Sequence, residues 1–189
     1  MKVIKLGEHG YNEALVAVSL SYSTLDILKD SDKLESLAVR LSRLSGGHDK
    51  HLEFIQVWLG ITAPRYFWQE FDTYRIGVSK YSESTMHTIH KRHLTVDDFE
   101  IINEDTLSII NTELEIMTSN YTEKLSTANL VTIKNLLPEG FLQKRLVTLN
   151  YKSLKNIIGQ RMNHRLPDWK LFIDSVLEQL DHPELLIRD

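Results

Sequence analysis

Lys144-Arg145-Leu146-Val147-Thr148-Leu149-Asn150-Tyr151-Lys152-Ser153-Leu154-Lys155-Asn156 decides the fold, because a strand candidate runs directly into a helix start within it. Arg145 to Leu149 is the strand. Asn150 offers a side-chain carbonyl to a free N–H of the next turn, so a helix is expected from Tyr151 to Met162. Arg161 follows Asn150 by eleven residues, close to three turns, and projects near the same face from the far end of that helix.

Working outward, Lys2 to Leu6 alternates weakly and predicts a short strand ended by Gly7 and Gly10. Tyr11 to Tyr22 carries Ala14, Leu15 and Val18 at helical spacing. Asp32 to Leu44 does so more clearly, with Leu34, Leu37, Ala38, Leu41 and Leu44 in one stripe and Gly46-Gly47 as its stop. Phe54 to Ile61 is aromatic and β-branched and predicts a strand. Pro64 opens a helix in its first turn, where the missing N–H costs nothing. Tyr66, Phe67, Trp68 and Phe71 on that helix are most simply core. A long helix is expected over Thr106 to Leu125, and a second from Thr127 to Leu137, stopped by Pro138-Glu139-Gly140. Pro167 begins a last helix with the stripe Trp169, Phe172, Ile173, Val176, Leu177 and Leu180. The expected fold class is α+β: one helix-rich domain over residues 1–189, with a small antiparallel or mixed sheet.

The composition is that of a soluble globular chain, with 42% hydrophobic and 25% charged residues. A net charge of -4 argues against direct nucleic-acid binding, although a local pocket for a nucleotide phosphate is compatible with it. No apolar run approaches the ~20 residues of a membrane span, so a cytoplasmic protein with no membrane contact is expected. The absence of cysteine removes disulfides, thiolate nucleophiles and cysteine-ligated zinc. His87, His90 and His93 recur every three residues, as do His48 and His51, a spacing that lets pairs share an ion. No cysteine or firm acidic partner accompanies them, and no metal site is assigned.

A second stretch begins at Ala63-Pro64 and runs through Thr73-Tyr74-Arg75 to Ser82-Glu83-Ser84-Thr85-Met86-His87. With the first stretch, and with Leu137-Pro138 ahead of it, this resembles the flavin-dependent thymidylate synthases, in a short branch found in bacteriophages and their Gram-positive hosts. That family carries R-H-R-x-x-S-x-N-E-x-S-x-R after an Ala-Pro. Here the R-H-R positions hold Thr73-Tyr74-Arg75, and two extra residues precede the Ser82-Glu83-Ser84-Thr85 portion.

The resemblance implies a set of roles. Lys144 or Arg145 would hold the nucleotide phosphate after the Leu-Pro, with His87 where the family has a phosphate-binding arginine. Glu83 matches the acidic residue near the nucleotide and Thr85 the serine; which hydroxyl of Ser82, Ser84 and Thr85 faces the ligand stays open. Arg161 would contact the uracil ring as the catalytic residue, its fixed charge suited to charge developing on the ring carbonyls. Asn150, Asn156, His48 and Arg75 would approach the flavin. His164 and Trp169 follow Arg161 much as a histidine and a tryptophan follow the family's arginine.

The implied substrate is a pyrimidine deoxynucleotide, dUMP, methylated with a one-carbon unit from methylenetetrahydrofolate. FAD is the cofactor and NADPH its reductant. A homotetramer with shared sites is implied, in the cytoplasm of a bacterium or of a phage-infected bacterial host. The other class of thymidylate synthase attacks the pyrimidine with a cysteine, which this chain lacks. Other readings stay open. Asn150 is also a plain helix cap, Asn156 a solvated residue and Arg161 a surface charge. Replacement of the Arg-His pair is equally compatible with a changed reaction on the same nucleotide, or with a non-catalytic descendant that binds a nucleotide or a host protein.

Overall fold

The computed structural model describes residues 1–21, 31–44, 47–119 and 125–187. Strand β1 (Lys2–His9) turns at Gly10 into helix α1 (Tyr11–Leu20), and α2 (Ser31–Ser42) follows. A single 3-10 turn at Lys50–Glu53 precedes β2 (Gln56–Pro64), which leads without a loop into α3 (Arg65–Phe71). Then come β3 (Val78–Ser82), the one-turn α4 (Thr85–Thr88), α5 (Glu104–Thr118) and α6 (Thr127–Leu136). Strand β4 (Leu142–Asn150) runs directly into α7 (Tyr151–Arg161), and α8 (Pro167–Leu177) closes the series. The four strands form one sheet in the order β1-β2-β4-β3, antiparallel throughout. The class is therefore α+β, helix-rich, with a small antiparallel sheet.

The chain divides into two compact units: Met1, Thr62–Asp72 and Tyr81–Arg145 in the first, and Lys2–Ile61, Thr73–Lys80 and Leu146–Asp189 in the second. The first has a core of Leu94, Phe99, Ile110, Leu114, Ile133 and Phe141. A buried asparagine locks it: Leu94 N–H donates to Asn111 Oδ1 (2.8 Å), and Asn111 Nδ2 donates back to the Leu94 carbonyl (2.9 Å). Both ends of the amide are satisfied, as burial demands. Phe67, Trp68 and Phe71 of α3 are buried as expected, and the Trp68 indole N–H is shared between the carbonyls of Ala63 and Gln143.

In the second unit the strand alternation buries Val57, Leu59, Ile61, Val147 and Leu149 on one face. Helices α7 and α8 bury Tyr151, Leu154, Ile157 and Ile158, and Trp169, Phe172, Ile173 and Val176. Burial, then the neighbouring Glu8 carboxylate, pushes the Tyr151 hydroxyl far above its ordinary value. That hydroxyl stays protonated and donates to Glu8.

Several boundaries differ from the sequence expectation. Helix α5 starts earlier, because Asn103 caps it by accepting from Thr106 N–H at 2.8 Å. It stops at Thr118, where Ser119 takes φ 46, a left-handed stop, so Leu125 lies outside it. The strand expected from Phe54 begins at Gln56, since Phe54 N–H closes the preceding 3-10 turn on His51. Strand β3 was not expected at all: it is a polar edge strand, Val78-Ser79-Lys80-Tyr81-Ser82, without an apolar face. The end expected at Tyr22 lies outside the described residues, as does Gly46 of the glycine stop; α2 ends at Ser42, short of the expected Leu44.

Gly10 is fixed by sterics. It has φ 101, and a Cβ there would stand 2.1 Å from the Phe54 carbonyl oxygen. Gly159, inside α7, has nothing within 4 Å of such an atom. Gly10→Ala should therefore lose more than about 1 kcal/mol, while Gly159→Ala gains about 0.5–1 kcal/mol of helix propensity. Urea denaturation checks this: the two midpoints should move in opposite directions from the wild type.

Candidate functional site

In the first unit, the backbone pairing continues one residue past β3, with Glu83 N–H donating to the Lys144 carbonyl at 2.8 Å. This brings Glu83 beside Lys144 on the wall of a cavity of about 150 Å³. Thr62, Thr85 and Thr88 add hydroxyls, and Arg92, Asp97 and Asp98 add charge. Arg92 is spoken for: its Nη1 donates to Asp98 Oδ2 at 2.7 Å and its Nη2 to Asp98 Oδ1. Asp98 is itself pinned by a capping box with Thr95, whose N–H donates to it at 2.8 Å. Burial alone would raise the Asp98 carboxyl, but hydrogen bonds from Arg92 and Thr95 outweigh it and hold the group below its ordinary 3.8. Lys144 makes no ion pair among the described residues, and so is the cation this wall offers to a ligand.

Strand alternation separates Lys144 from Arg145. The Arg145 Nη1 donates to both carboxylate oxygens of Asp72, at 2.8 and 3.0 Å. Its guanidinium carbon lies 4.4 Å over the Trp68 ring. Of the adjacent pair, only Lys144 lines the cavity; Arg145 ties β4 to the end of α3. Thr85 and Glu83 line the cavity too, whereas Ser84 and His87 are exposed and do not. Arg92 and Thr88 were missed by the sequence reading. A signal existed, since Thr95-x-x-Asp98 has the capping-box spacing that fixes Arg92's partner.

In the second unit, the segment Tyr74–Gly77 runs along α7. At the start of the helix, Asn150 Oδ1 accepts from Ser153 N–H at 2.9 Å, the cap foreseen from sequence. Ser153 Oγ donates to the Ile76 carbonyl at 2.7 Å, and Asn150 N–H to the Gly77 carbonyl at 3.2 Å. Gly77 has φ 66, and a Cβ there would lie 2.6 Å from Asn150 Nδ2. At the far end, Arg161 Nε donates to the Tyr74 hydroxyl at 2.8 Å. The guanidinium carbon lies 4.7 Å over Trp169 and 5.6 Å from the Tyr74 ring centre. Tyr74 donates to Gln160 Oε1 at 2.9 Å, and Gln160 Nε2 donates to Asn156 Oδ1 at 3.2 Å. Asn150 and Arg161 are thus bonded to the same Tyr74–Gly77 segment, and Asn156 is reached through Gln160; Asn156, Arg75 and His48 are exposed.

Asp49 stands at the start of the 3-10 turn Lys50–Glu53. It makes no capping bond to the 3-10 turn that follows it, and instead accepts from Lys155 of α7 at 2.7 Å, with Lys152 at 3.8 Å. Among the described residues, no group of three or more His, Asp, Glu or Cys side chains is placed to hold a metal ion. His90 is buried, and His93 lies 3.7 Å from Glu115.

Residues 3–180 match the sequence profile described as Thymidylate synthase complementing protein. The chain belongs to this family. Among solved structures it is similar to the flavin-dependent thymidylate synthase ThyX of Helicobacter pylori complexed with FAD and dUMP. The TM-score is 0.78 at 20% identity, over 98% of each chain. A second structure of the Helicobacter pylori protein with FAD and dUMP, at 2.31 Å resolution, matches equally, over 98% of this chain and 97% of that one. No curated protein matches significantly. The family match spans both units, so the thymidylate synthase complementing fold accounts for α7 and for the cavity wall alike.

In this family member the cavity wall depends on a carboxylate, and pH tests it. Asp98, held low in the fold, contributes stability above its ordinary 3.8 and loses it as pH falls through the folded value. The urea midpoint should fall between pH 5 and pH 3, and Asp98→Asn should flatten that fall. An equally steep fall in the variant would show that Asp98 does not hold the wall.

Proposed function

We propose that this chain binds dUMP and FAD and methylates the nucleotide in the manner of a flavin-dependent thymidylate synthase. Methylenetetrahydrofolate would be the one-carbon donor and NADPH the reductant. The observation that carries the reading is the family match over residues 3–180. It is supported by the likeness to a flavin-dependent thymidylate synthase complexed with FAD and dUMP. The cavity wall of the first unit adds Lys144, a cation with no ion pair among the described residues, set among threonine hydroxyls.

Lys144 takes the nucleotide phosphate, with Thr85 as a hydroxyl donor beside it on the same wall; Ser84 lies outside that lining. His87 and Arg145 are left out of the phosphate set, the first for its position and the second for its bond to Asp72. Glu83 and Arg161 orient the base. Arg161 is the catalytic group, placing a fixed positive charge where negative charge develops on the ring carbonyls.

The flavin group comprises His48, Arg75, Asn150 and Asn156, and its donor set suits FAD. Arg75 is an exposed cation for a pyrophosphate. Asn150 spends its Oδ1 on the helix cap, and its Nδ2 sits where only a glycine at position 77 leaves room. When bound, reduced FAD supplies the hydride to the nucleotide. The protein's part is to hold the ring at α7 and to exclude water, which a homotetramer with shared sites would complete. The setting is the cytoplasm of a bacterium or of a phage-infected host.

Purified full-length protein, soaked with FAD and freed of excess, should keep a visible flavin band and bind dUMP in calorimetry. Lys144→Ala should weaken dUMP by roughly tenfold or more and leave deoxyuridine, which lacks the phosphate, nearly unaffected. Folded protein that holds neither flavin nor dUMP would sink the proposal.

A further inference from the structure

Tyr74 occupies a position that the sequence reading assigned no role, yet its hydroxyl joins two of the residues placed at the site. The hydroxyl carries one hydrogen, which goes to Gln160 Oε1 at 2.9 Å. Its oxygen is then the acceptor for Arg161 Nε at 2.8 Å. Gln160 passes the connection on to Asn156 Oδ1 at 3.2 Å. The order along this chain of bonds is Arg161, Tyr74, Gln160, Asn156, with each donor aimed at the next acceptor.

Two further contacts fix the tyrosine, and a third holds the arginine. Lys80 Nζ donates to its backbone carbonyl at 2.9 Å. Its ring meets the buried Trp169 edge-on, with centroids 6.0 Å apart. The Arg161 guanidinium carbon lies over the same Trp169, 4.7 Å from the ring centre. A stacking surface sets the plane of a guanidinium but leaves it free to rotate within that plane. A hydrogen bond to Nε removes that freedom, because Nε is the one donor on the inner edge of the fork. Tyr74 thus supplies what Trp169 cannot.

We propose that Tyr74 is a positioning residue for Arg161. It sets the in-plane orientation of the guanidinium and couples it, through Gln160, to Asn156. The inference rests on the assignment of Arg161 to the uracil ring made above. A pre-set guanidinium loses less freedom when it meets the ring carbonyls, so the hydroxyl contributes to nucleotide affinity without touching the nucleotide.

Tyr74→Phe is the test, since it keeps the ring against Trp169 and removes only the hydroxyl. In calorimetry on the full-length, FAD-loaded protein, the variant should bind dUMP roughly tenfold more weakly, with a thermal midpoint within a few degrees of the wild type. Repeated on an Arg161→Lys background, where no Nε–H exists, Tyr74→Phe should cost almost nothing further. An equal loss on both backgrounds would overturn the inference, because the tyrosine would then act without Arg161. Unchanged dUMP affinity in Tyr74→Phe would overturn it as well, while wild-type binding would leave the function standing. A wild type that binds no dUMP would overturn both. Without nucleotide, the Arg161 Nε–H resonance should exchange slowly with solvent in the wild type and rapidly in Tyr74→Phe; equal exchange rates would again overturn it.

Discussion

The bonding of the Tyr74–Gly77 segment along α7 is the constraint on which the second unit's site depends. An isolated helix of eleven residues is marginal in water, and its polar face could turn in many directions. Here each end is held by the same short segment. Asn150 and Ser153 grip Ile76 and Gly77 at the N-terminus, and Tyr74 grips Arg161 and Gln160 at the other end. Two anchors fix the rotation of the helix about its axis, which one anchor would not. The buried stripe of Tyr151, Leu154, Ile157 and Ile158 agrees with that rotation, so packing and polar bonding specify the same face.

The first unit builds its wall by a different device, the two-residue period of a strand. Lys144 and Arg145 are adjacent and carry the same charge, yet the pleat sends one to the cavity and the other to Asp72 and Trp68. An arginine suits the second place, since its planar fork takes both carboxylate oxygens while its face lies on an indole. A lysine suits the first, as a compact charge that can follow a ligand. The paired Arg92 and Asp98 then shape the wall while largely cancelling each other's charge. Lys144 is therefore not one of several equivalent cations there.

Much of this was legible in the sequence, for reasons that are local. The Asn150 cap, the α8 stripe, the β4 strand and the buried aromatics of α3 follow from propensity and period, which need no knowledge of distant residues. The edge strand β3 was not legible, because a polar strand is defined by its partner rather than by its own pattern. The left-handed stop at Ser119 and the early start at Asn103 shifted α5 for the same kind of reason, with single residues overriding a periodic run. Sequence offered Lys144 and Arg145 as a pair; which of the two lines the cavity required the register of β4. Tyr74 was read as a departure from the family's motif, and nothing in a linear pattern shows a hydroxyl 87 residues from its arginine.

Residues that draw the eye as chemistry divide by whether their charge is already satisfied. Asp49, next to a histidine, looks like a reactive dyad, but Lys155 holds its carboxylate at 2.7 Å and draws it below its ordinary value despite the burial that would raise it. His51 is buried, and that burial lowers its pKa, so the imidazole stays neutral near pH 7 and serves the packing beneath the 3-10 turn. Arg145 is satisfied by Asp72. These groups stabilise the frame, and a ligand would have to displace a partner to use them, at a cost of the order of a charge-assisted hydrogen bond, roughly 1.5–3 kcal/mol. Lys144 faces no such cost. At α7, Trp169 is wholly buried and serves as a platform, with the Arg161 guanidinium over its face. Satisfaction of charge, more than residue type or closeness to a motif, decides which side chains here are frame and which are offered to a ligand.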